Sequence, residues 1–334
     1  MSNRRVALDD KYTATSGRVY LTGTQALVRL PISQHMRDVA AGLNTAGFIS
    51  GYRGSPLGVY DQELWRAQRH LDAHNVVFQP GLNEEIAATS VFGSQQSSIF
   101  GKPKYDGVFG IWYGKNPGLD RAGDPIKHAN AAGTAKHGGV LLVPGDDHAA
   151  KSSDLANQCE FALMNHAIPV LAPSDIQDVL DLGLYGWALS RFSGCWIGLK
   201  IEPNVTDRSA SVAIDAERIN ITIPDDFVMP PDGLNIRWPD DRFAQEARLL
   251  DFKLRAVTAF ACRNPLDRTL YAREGARIGI VTSGKAYSDV REALDELGID
   301  ERRAGQLGIS ILKIGLAWPI EPEGARAFCE GLGR

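Results

Sequence analysis

The sequence has no apolar run close to the roughly 18 residues that a membrane span needs. Its first fifteen residues place no apolar stretch behind Arg4 and Arg5. Neither a bilayer segment nor a secretory leader is therefore expected, and the cytoplasm is the expected compartment. Cysteine is scarce: Cys159, Cys195, Cys262 and Cys329 stand far apart, with no close pair. A zinc site or an iron–sulfur cluster held within this chain is not expected, and the thiols read as reduced and buried. Neither sign of charge dominates. The net charge is -4 over 334 residues, which gives no footprint for nucleic acid or an anionic membrane. There is no repeat of solenoid length and no low-complexity tract.

What is present is an alternation. Short continuous apolar runs at 48–52, 76–79, 107–113, 140–145, 169–172 and 196–201 predict strands covered on both faces. Helical stretches at 36–46, 61–74, 83–100, 125–136, 152–166 and 175–191 lie around and between them. That order predicts an α/β fold with a parallel sheet and helices on both sides. After residue 201 the rhythm breaks. Residues 202–241 are rich in proline and acidic side chains and read as a linker or excursion, and a helix follows over 242–263. A second α/β pattern then has strands at 277–282 and 309–315 and helices at 287–297 and 324–332. Two strands and two helices cannot bury both faces of a parallel sheet, so this unit is expected to borrow partners or to belong to a longer polypeptide.

Ligands of open α/β sheets bind outside the carboxyl ends of the strands, so the loops there are the places to search. Gly51-Tyr52-Arg53-Gly54-Ser55-Pro56-Leu57-Gly58 combines glycines for close backbone approach with a hydroxyl donor at Ser55. Taken alone it is equally well a tight strand-to-helix turn. Asn83 reads as a helix N-cap with Glu84 and Glu85 in the first turn, where the helix dipole favours negative charge. The helix behind them is rich in small residues suited to an interface. Gly114-Lys115 invites comparison with a phosphate loop but fails it, because Asn116 stands where Ser or Thr is needed. Asp146-Asp147-His148 with Lys151 and Ser152 has no nucleophile elbow and no common metal spacing. It reads as a polar loop that orders a ligand edge or a subunit contact and caps a helix beginning near Ser152.

In this order, the motifs at 51–58, 83–96, 112–124 and 133–153 resemble the N-terminal part of long single-chain indolepyruvate:ferredoxin oxidoreductases. Gly279-Ile280-Val281-Thr282-Ser283-Gly284-Lys285 and Gly315-Leu316-Ala317-Trp318-Pro319 extend the resemblance to the end of the chain. It implies a pyrimidine-binding domain of a thiamine diphosphate enzyme over 1–205, a linker and helix over 206–269, and the start of a transketolase C-terminal-like domain over 270–334. It implies oxidative decarboxylation of an aryl or branched 2-oxoacid to an acyl-CoA, with electrons passed to ferredoxin. A glutamate matching Glu84 faces N1′ of the cofactor's aminopyrimidine and promotes proton removal from the thiazolium, with Glu85 as the alternate. Gly54, Ser55 and Pro56 match a turn lying against the cofactor. Arg53, Ser55, His148 and Lys151 match loops near the substrate.

The departures are equally informative. Family members hold the diphosphate through Mg2+ with a Gly-Asp-Gly segment, which this sequence lacks. Mg2+ and [4Fe–4S] clusters are therefore expected in the complete enzyme but not ligated by this chain, and no metal ligand is expected here. The remaining domains or a partner subunit would supply them, and a homodimer is implied. The alternative is a non-catalytic module of the same fold that assembles with a partner.

Overall fold

The computed structural model describes residues 7–148, 155–271 and 275–333. Twelve strands are described: β1 (Arg18–Thr22), β2 (Thr45–Gly51), β3 (Val76–Phe78), β4 (Gly107–Lys115), β5 (Val140–Gly145), β6 (Val170–Leu171), β7 (Trp196–Leu199), β8 (Ser209–Ala213), β9 (Arg268–Leu270), β10 (Ile278–Ser283), β11 (Ile309–Ile314) and β12 (Leu316–Trp318). Seven form the main sheet in the order β12-β6-β7-β5-β4-β2-β3. All neighbours in it are parallel except β12, which runs antiparallel to β6.

The continuous apolar runs have the expected cause. Along β5, Leu141 and Val143 enter one hydrophobic cluster while Val140 and Leu142 enter the other, on the opposite face. The first cluster includes Trp187 from the helix Ile176–Ser193, and the second includes Trp112 and Trp196. Every residue of β5 is buried, so no polar position is left to mark a face.

Several helices differ from expectation. The stretch expected over 36–46 is the end of a longer helix, Gly23–Ala40, and the chain is already in β2 by Thr45. Thirteen of its residues are buried, so it shows no amphipathic stripe, and Pro31 lies inside it. Its start was nonetheless written locally: Thr22 and Gln25 form a reciprocal capping box. The helix expected over 152–166 is described only as Glu160–Asn165, so the cap assigned to Ser152 lies outside the described residues. The stretch after β4, expected as a loop, contains a short helix, Asn116–Arg121. A small ribbon of β1 with β8 ties residues 209–213 back to the N-terminal region.

The second sheet has the order β10-β11-β9, with β10 and β11 parallel and β9 antiparallel. Rather than borrowing a strand, this part of the chain lends one to the main sheet. The chain leaves β11 and enters the main sheet as β12, where Leu316 pairs with Leu171 and Trp318 with Val170. At the same seam Asp178 accepts hydrogen bonds from the Ser174 amide and hydroxyl, Arg268 and Lys313. No helix among the described residues is long and apolar enough to cross a membrane.

Candidate active site at a strand switch

β2 has β3 on one side and β4 on the other. The chain moves outward from β2 to β3 and then returns to β4, so the connections diverge above the carboxyl ends of β2 and β4. Such a switch point leaves a crevice for a ligand. The loop after β2, the helix start after β3 and the end of β4 all border it. The Tyr52 amide donates to the Tyr113 carbonyl (3.0 Å), and the Gly81 amide donates to the Gly51 carbonyl (2.9 Å).

Glu84 opens the helix Glu84–Gln95, with Asn83 as its N-cap accepting from the Ile86 amide (2.9 Å). The buried Trp112 indole donates to the Glu84 carbonyl at 3.0 Å and fixes the backbone there. The Glu84 side chain is half-buried and lies over Gly118. A β-carbon on Gly118 would fall 2.5 Å from Glu84 Cγ and closer still to a carboxylate oxygen. Glu85 is exposed. Among the described residues no cation or hydrogen-bond donor engages the Glu84 carboxylate.

The 51–58 turn borders the same strand end. A β-carbon on Gly54 would lie 2.8 Å from Lys115 Cβ, and one on Gly145 would lie 2.7 Å from Pro56 Cδ. Pro56 is buried and Ser55 half-buried, and the peptide joining them is cis. Arg53 reaches outward, 63% exposed, with its Nε 3.6 Å from a carboxylate oxygen of buried Asp61. Glu84 and the 53–56 turn are thus drawn to one strand end.

His148 lies in a different group. Its Nε2 meets Glu202 Oε1 at 3.0 Å, beside Lys200. Lys151 lies outside the described residues.

Much of the polar structure around β4 and β5 was missed in the sequence. Asp146 and Asp147, expected in an open polar loop, are fully buried. Lys115 donates to Asp147 at 2.9 Å, and Asn116 donates to Asp146 at 2.9 Å. Lys200 then bridges Asp146 (3.4 Å), Glu160 (2.5 Å) and Glu202 (2.7 Å). Burial raises the Asp146 carboxyl above its ordinary range despite Lys200. Burial alone would also raise Glu202, but the Lys200 ammonium and hydrogen bonds from Lys200 and His148 hold it low. Asp146, Cys159 and Glu160 place one potential metal ligand each within 4.8 Å of one another. The Lys200 ammonium already supplies a cation to both carboxylates, and burial raises the Cys159 thiol and keeps it protonated. The available signal was an acidic pair directly after a strong apolar strand. Burying Asp146 and Asp147 there requires partners from neighbouring strand ends.

The model of the indolepyruvate oxidoreductase domain family matches residues 268–334. Indolepyruvate oxidoreductase subunit IorA of Methanothermobacter thermautotrophicus is 24% identical over 328 residues, covering 98% of this chain and 47% of that protein. The chain is thus similar to indolepyruvate oxidoreductase subunits along nearly its whole length, and residues 268–334 match that family's domain. The IorA subunit of Pyrococcus abyssi is also 24% identical, with 95% of this chain and 44% of that protein covered. The chain thus spans about half the length of the curated IorA relatives it matches. Among solved structures, 2-oxoglutarate:ferredoxin oxidoreductase from Magnetococcus marinus superposes with a TM-score of 0.65 at 15% identity, covering 94% of this chain and 56% of that one. The fold is therefore the expected one: a parallel-sheet unit followed by a second α/β unit.

Proposed function

We propose that this chain contributes the aminopyrimidine-binding part of a thiamine-diphosphate-dependent 2-oxoacid oxidoreductase of the indolepyruvate type. The observation that carries the reading is the half-buried Glu84 carboxylate at the strand switch, seated on Gly118 and engaged by no cation among the described residues. The residues fit one end of the cofactor. A carboxylate at a helix start suits the ring nitrogen of an aminopyrimidine, and Gly118 lets it lie close to the sheet edge. The other end has no matching cradle, because the sequence lacks Gly-Asp-Gly. Mg2+ and [4Fe–4S] clusters belong, on this reading, to the rest of the enzyme.

Thiamine diphosphate, when bound, supplies the electron sink for decarboxylating a 2-oxoacid. This chain's part is narrower. Glu84 holds a proton at N1′ of the aminopyrimidine and thereby sets its tautomer. Gly54, Ser55 and Pro56 shape the wall beside it, with the Ser55 hydroxyl as donor. Arg53 is exposed and held only by the 3.6 Å pair with Asp61, from which its guanidinium would turn toward the carboxylate of an incoming 2-oxoacid. The complete enzyme would use coenzyme A and ferredoxin, acting on aryl or branched 2-oxoacids. The division proposed is 1–205 for the pyrimidine domain, 206–269 for the linker and helix, and 270–334 for the second domain. A dimer is supported by the exposed face of the Glu84–Gln95 helix. There Thr89 and Ser90 turn their hydroxyls back to helix carbonyls, leaving a smooth surface beside Ile86.

Titration of the full chain with thiamine diphosphate, alone and with the complementary C-terminal region, tests the reading. Binding only with both present is expected. Equal failure with both would overturn it.

A further inference from the structure

At the opposite end of the main sheet from the strand switch, a cavity of about 480 Å³ lies beside the amino ends of the strands. Leu43 borders it just before β2, and His137 just before β5. Two walls are the helices Gly23–Ala40 and Ile176–Ser193, and the third is the excursion that follows β8. That excursion is pinned at several points. The Tyr185 hydroxyl donates to the Asn220 carbonyl at 3.2 Å. The Asn264 side chain donates to the Thr222 carbonyl (2.8 Å) and accepts from the Thr222 amide (2.9 Å). Asn235 donates to the Arg191 carbonyl at 3.1 Å. These bonds hold the walls apart, so the chamber is built before any ligand arrives.

Most of the lining is apolar. Phe192, Ile221, Ile223 and Met229 contribute to it, and Ile223 is 53% and Met229 39% exposed although their segment is fixed. Covering such side chains is favourable, and the pinned backbone prevents them from covering one another. The polar part is one-sided in charge. Among the described residues the one carboxylate in the lining is Asp38, and it is saturated: Oδ1 takes Gln34 and Arg191, and Oδ2 takes Thr45 and Arg191. The same pair balances the Arg191 charge. Lys136 and His137 remain. Lys136 is exposed and pairs with no carboxylate among the described residues, and His137 makes no hydrogen bond among them. Burial, then Arg191 and Lys136, lower the His137 ring from its ordinary value, and Asp106 and Asp38 offset this only in part. Asp106 lies outside the lining and accepts from the Asn44 amide at 2.8 Å. Arg37, which donates to the Ile219 carbonyl, adds a further positive charge to the lining. A small inorganic anion would answer the cations and leave the apolar walls wet. A neutral hydrocarbon would do the reverse.

We propose that this cavity binds a small amphipathic monoanion, a carboxylate carried on an aliphatic or aryl body. The carboxylate lies at the Lys136 ammonium and the His137 ring N–H, and the body lies against Phe192, Ile221, Ile223 and Met229. The volume falls within the range for small-molecule sites, about 300–1,000 Å³, and an apolar lining with a few convergent polar groups is their usual composition. Because the walls come from two helices and the excursion, an occupant would clamp the excursion to the first unit. The site shares no residue with the strand switch and stands independently of the thiamine reading.

Calorimetric titration of the full chain with octanoate and 3-phenylpropionate tests it, with 1-octanol, 3-phenyl-1-propanol and acetate as probes of the body alone and the charge alone. At least one acid should bind about tenfold or more tighter than its alcohol and than acetate. Lys136→Glu reverses the charge at the rim, and Ile223→Asp puts a carboxylate on the apolar wall. Each should weaken that binding by about tenfold or more. Both positions are exposed, so neither change threatens folding, and a carboxylate held at the strand switch instead would bind both variants as it binds the parent. Alcohol or acetate binding as tightly as the acids would overturn the proposal. So would an absence of binding by both acids, or binding unchanged in either variant.

Discussion

Two carboxylates, each in the first turn of a helix that follows a strand of the main sheet, have opposite surroundings. Glu84, behind β3, is half-buried and engaged by no cation or donor among the described residues. Asp178, behind β6, is 2% exposed and takes bonds from Ser174, Arg268 and Lys313. Burial would raise the Asp178 carboxyl, but Lys313 and the hydrogen bonds hold it below its ordinary range. The contrast separates a carboxylate that joins two units from one that meets no partner among the described residues. A saturated carboxylate holds a seam and has nothing left to offer a ligand.

The sharpest way to break the comparison is to neutralise each group in turn. Glu84→Gln in the complete enzyme keeps the side-chain size and removes proton transfer. Thiazolium C2 hydrogen–deuterium exchange should slow by about 10²- to 10⁴-fold, the usual worth of a positioned acid–base group. The melting temperature should barely move. Exchange at the parental rate would remove Glu84 from the mechanism. Asp178→Ala should do the reverse. It leaves Lys313, 4% exposed, without its counter-ion, at a cost of about 3–5 kcal/mol in denaturant unfolding. The Asp178 contribution has a defined pH window. Its folded value lies below the unfolded one, so its stabilisation is complete above about pH 4 and is lost as pH falls through the folded value.

Lys253 sharpens the comparison from the side of a buried cation. It is 0% exposed and closes a five-residue π-helical stretch, Leu249–Lys253. Among the described residues its ammonium donates to the carbonyls of Asn130, Ala131 and Gly194, at the ends of two helices. Burial lowers it from 10.5 to about 8. The folded state therefore loses this proton before the unfolded state does. The charge destabilises the fold fully below pH 8, and the penalty is relieved as pH rises toward 10.5. The unfolding free energy of the parent, measured relative to Lys253→Met, should rise by about 3 kcal/mol across that window as the penalty on the parent disappears. A flat difference would show that the ammonium is not buried as described.

How much of this was legible depends on what each residue contacts. The main sheet was legible because strands covered on both faces leave continuous apolar runs, as at 140–145. The helix Gly23–Ala40 was not, because a helix buried nearly all round carries no stripe for periodicity to find, although Thr22 and Gln25 announce its start. Glu84 was legible through Asn83 and the motif around it. Its support was not. Gly118 lies 34 positions away and meets Glu84 only because β3 and β4 flank the same strand. The Lys200 cluster was hidden for the same reason: Asp146, Glu160 and Glu202 are brought together by the order β6-β7-β5, which no local pattern encodes.

Gly118 gives the smallest of these effects and the most discriminating. It lies in the helix Asn116–Arg121, where replacing glycine by alanine ordinarily gains about 0.5–1 kcal/mol. Here the added methyl would meet the Glu84 carboxylate. If Glu84 were a solvated helix-end charge, it would swing into water, and Gly118→Ala would be neutral or stabilising with no other consequence. If Glu84 must reach a fixed ring nitrogen, a shift of about 1 Å costs about 100-fold in rate. The expected outcome is an unchanged or slightly raised melting temperature together with a large loss of turnover in the complete enzyme. Asp178 offers no counterpart to this variant, since its carboxylate is held by three side chains and a backbone amide and cannot be displaced without weakening the seam. Activity falling while stability holds would therefore mark position 84 as a placed functional carboxylate, and parental activity in Gly118→Ala would return it to the ordinary run of helix-start glutamates.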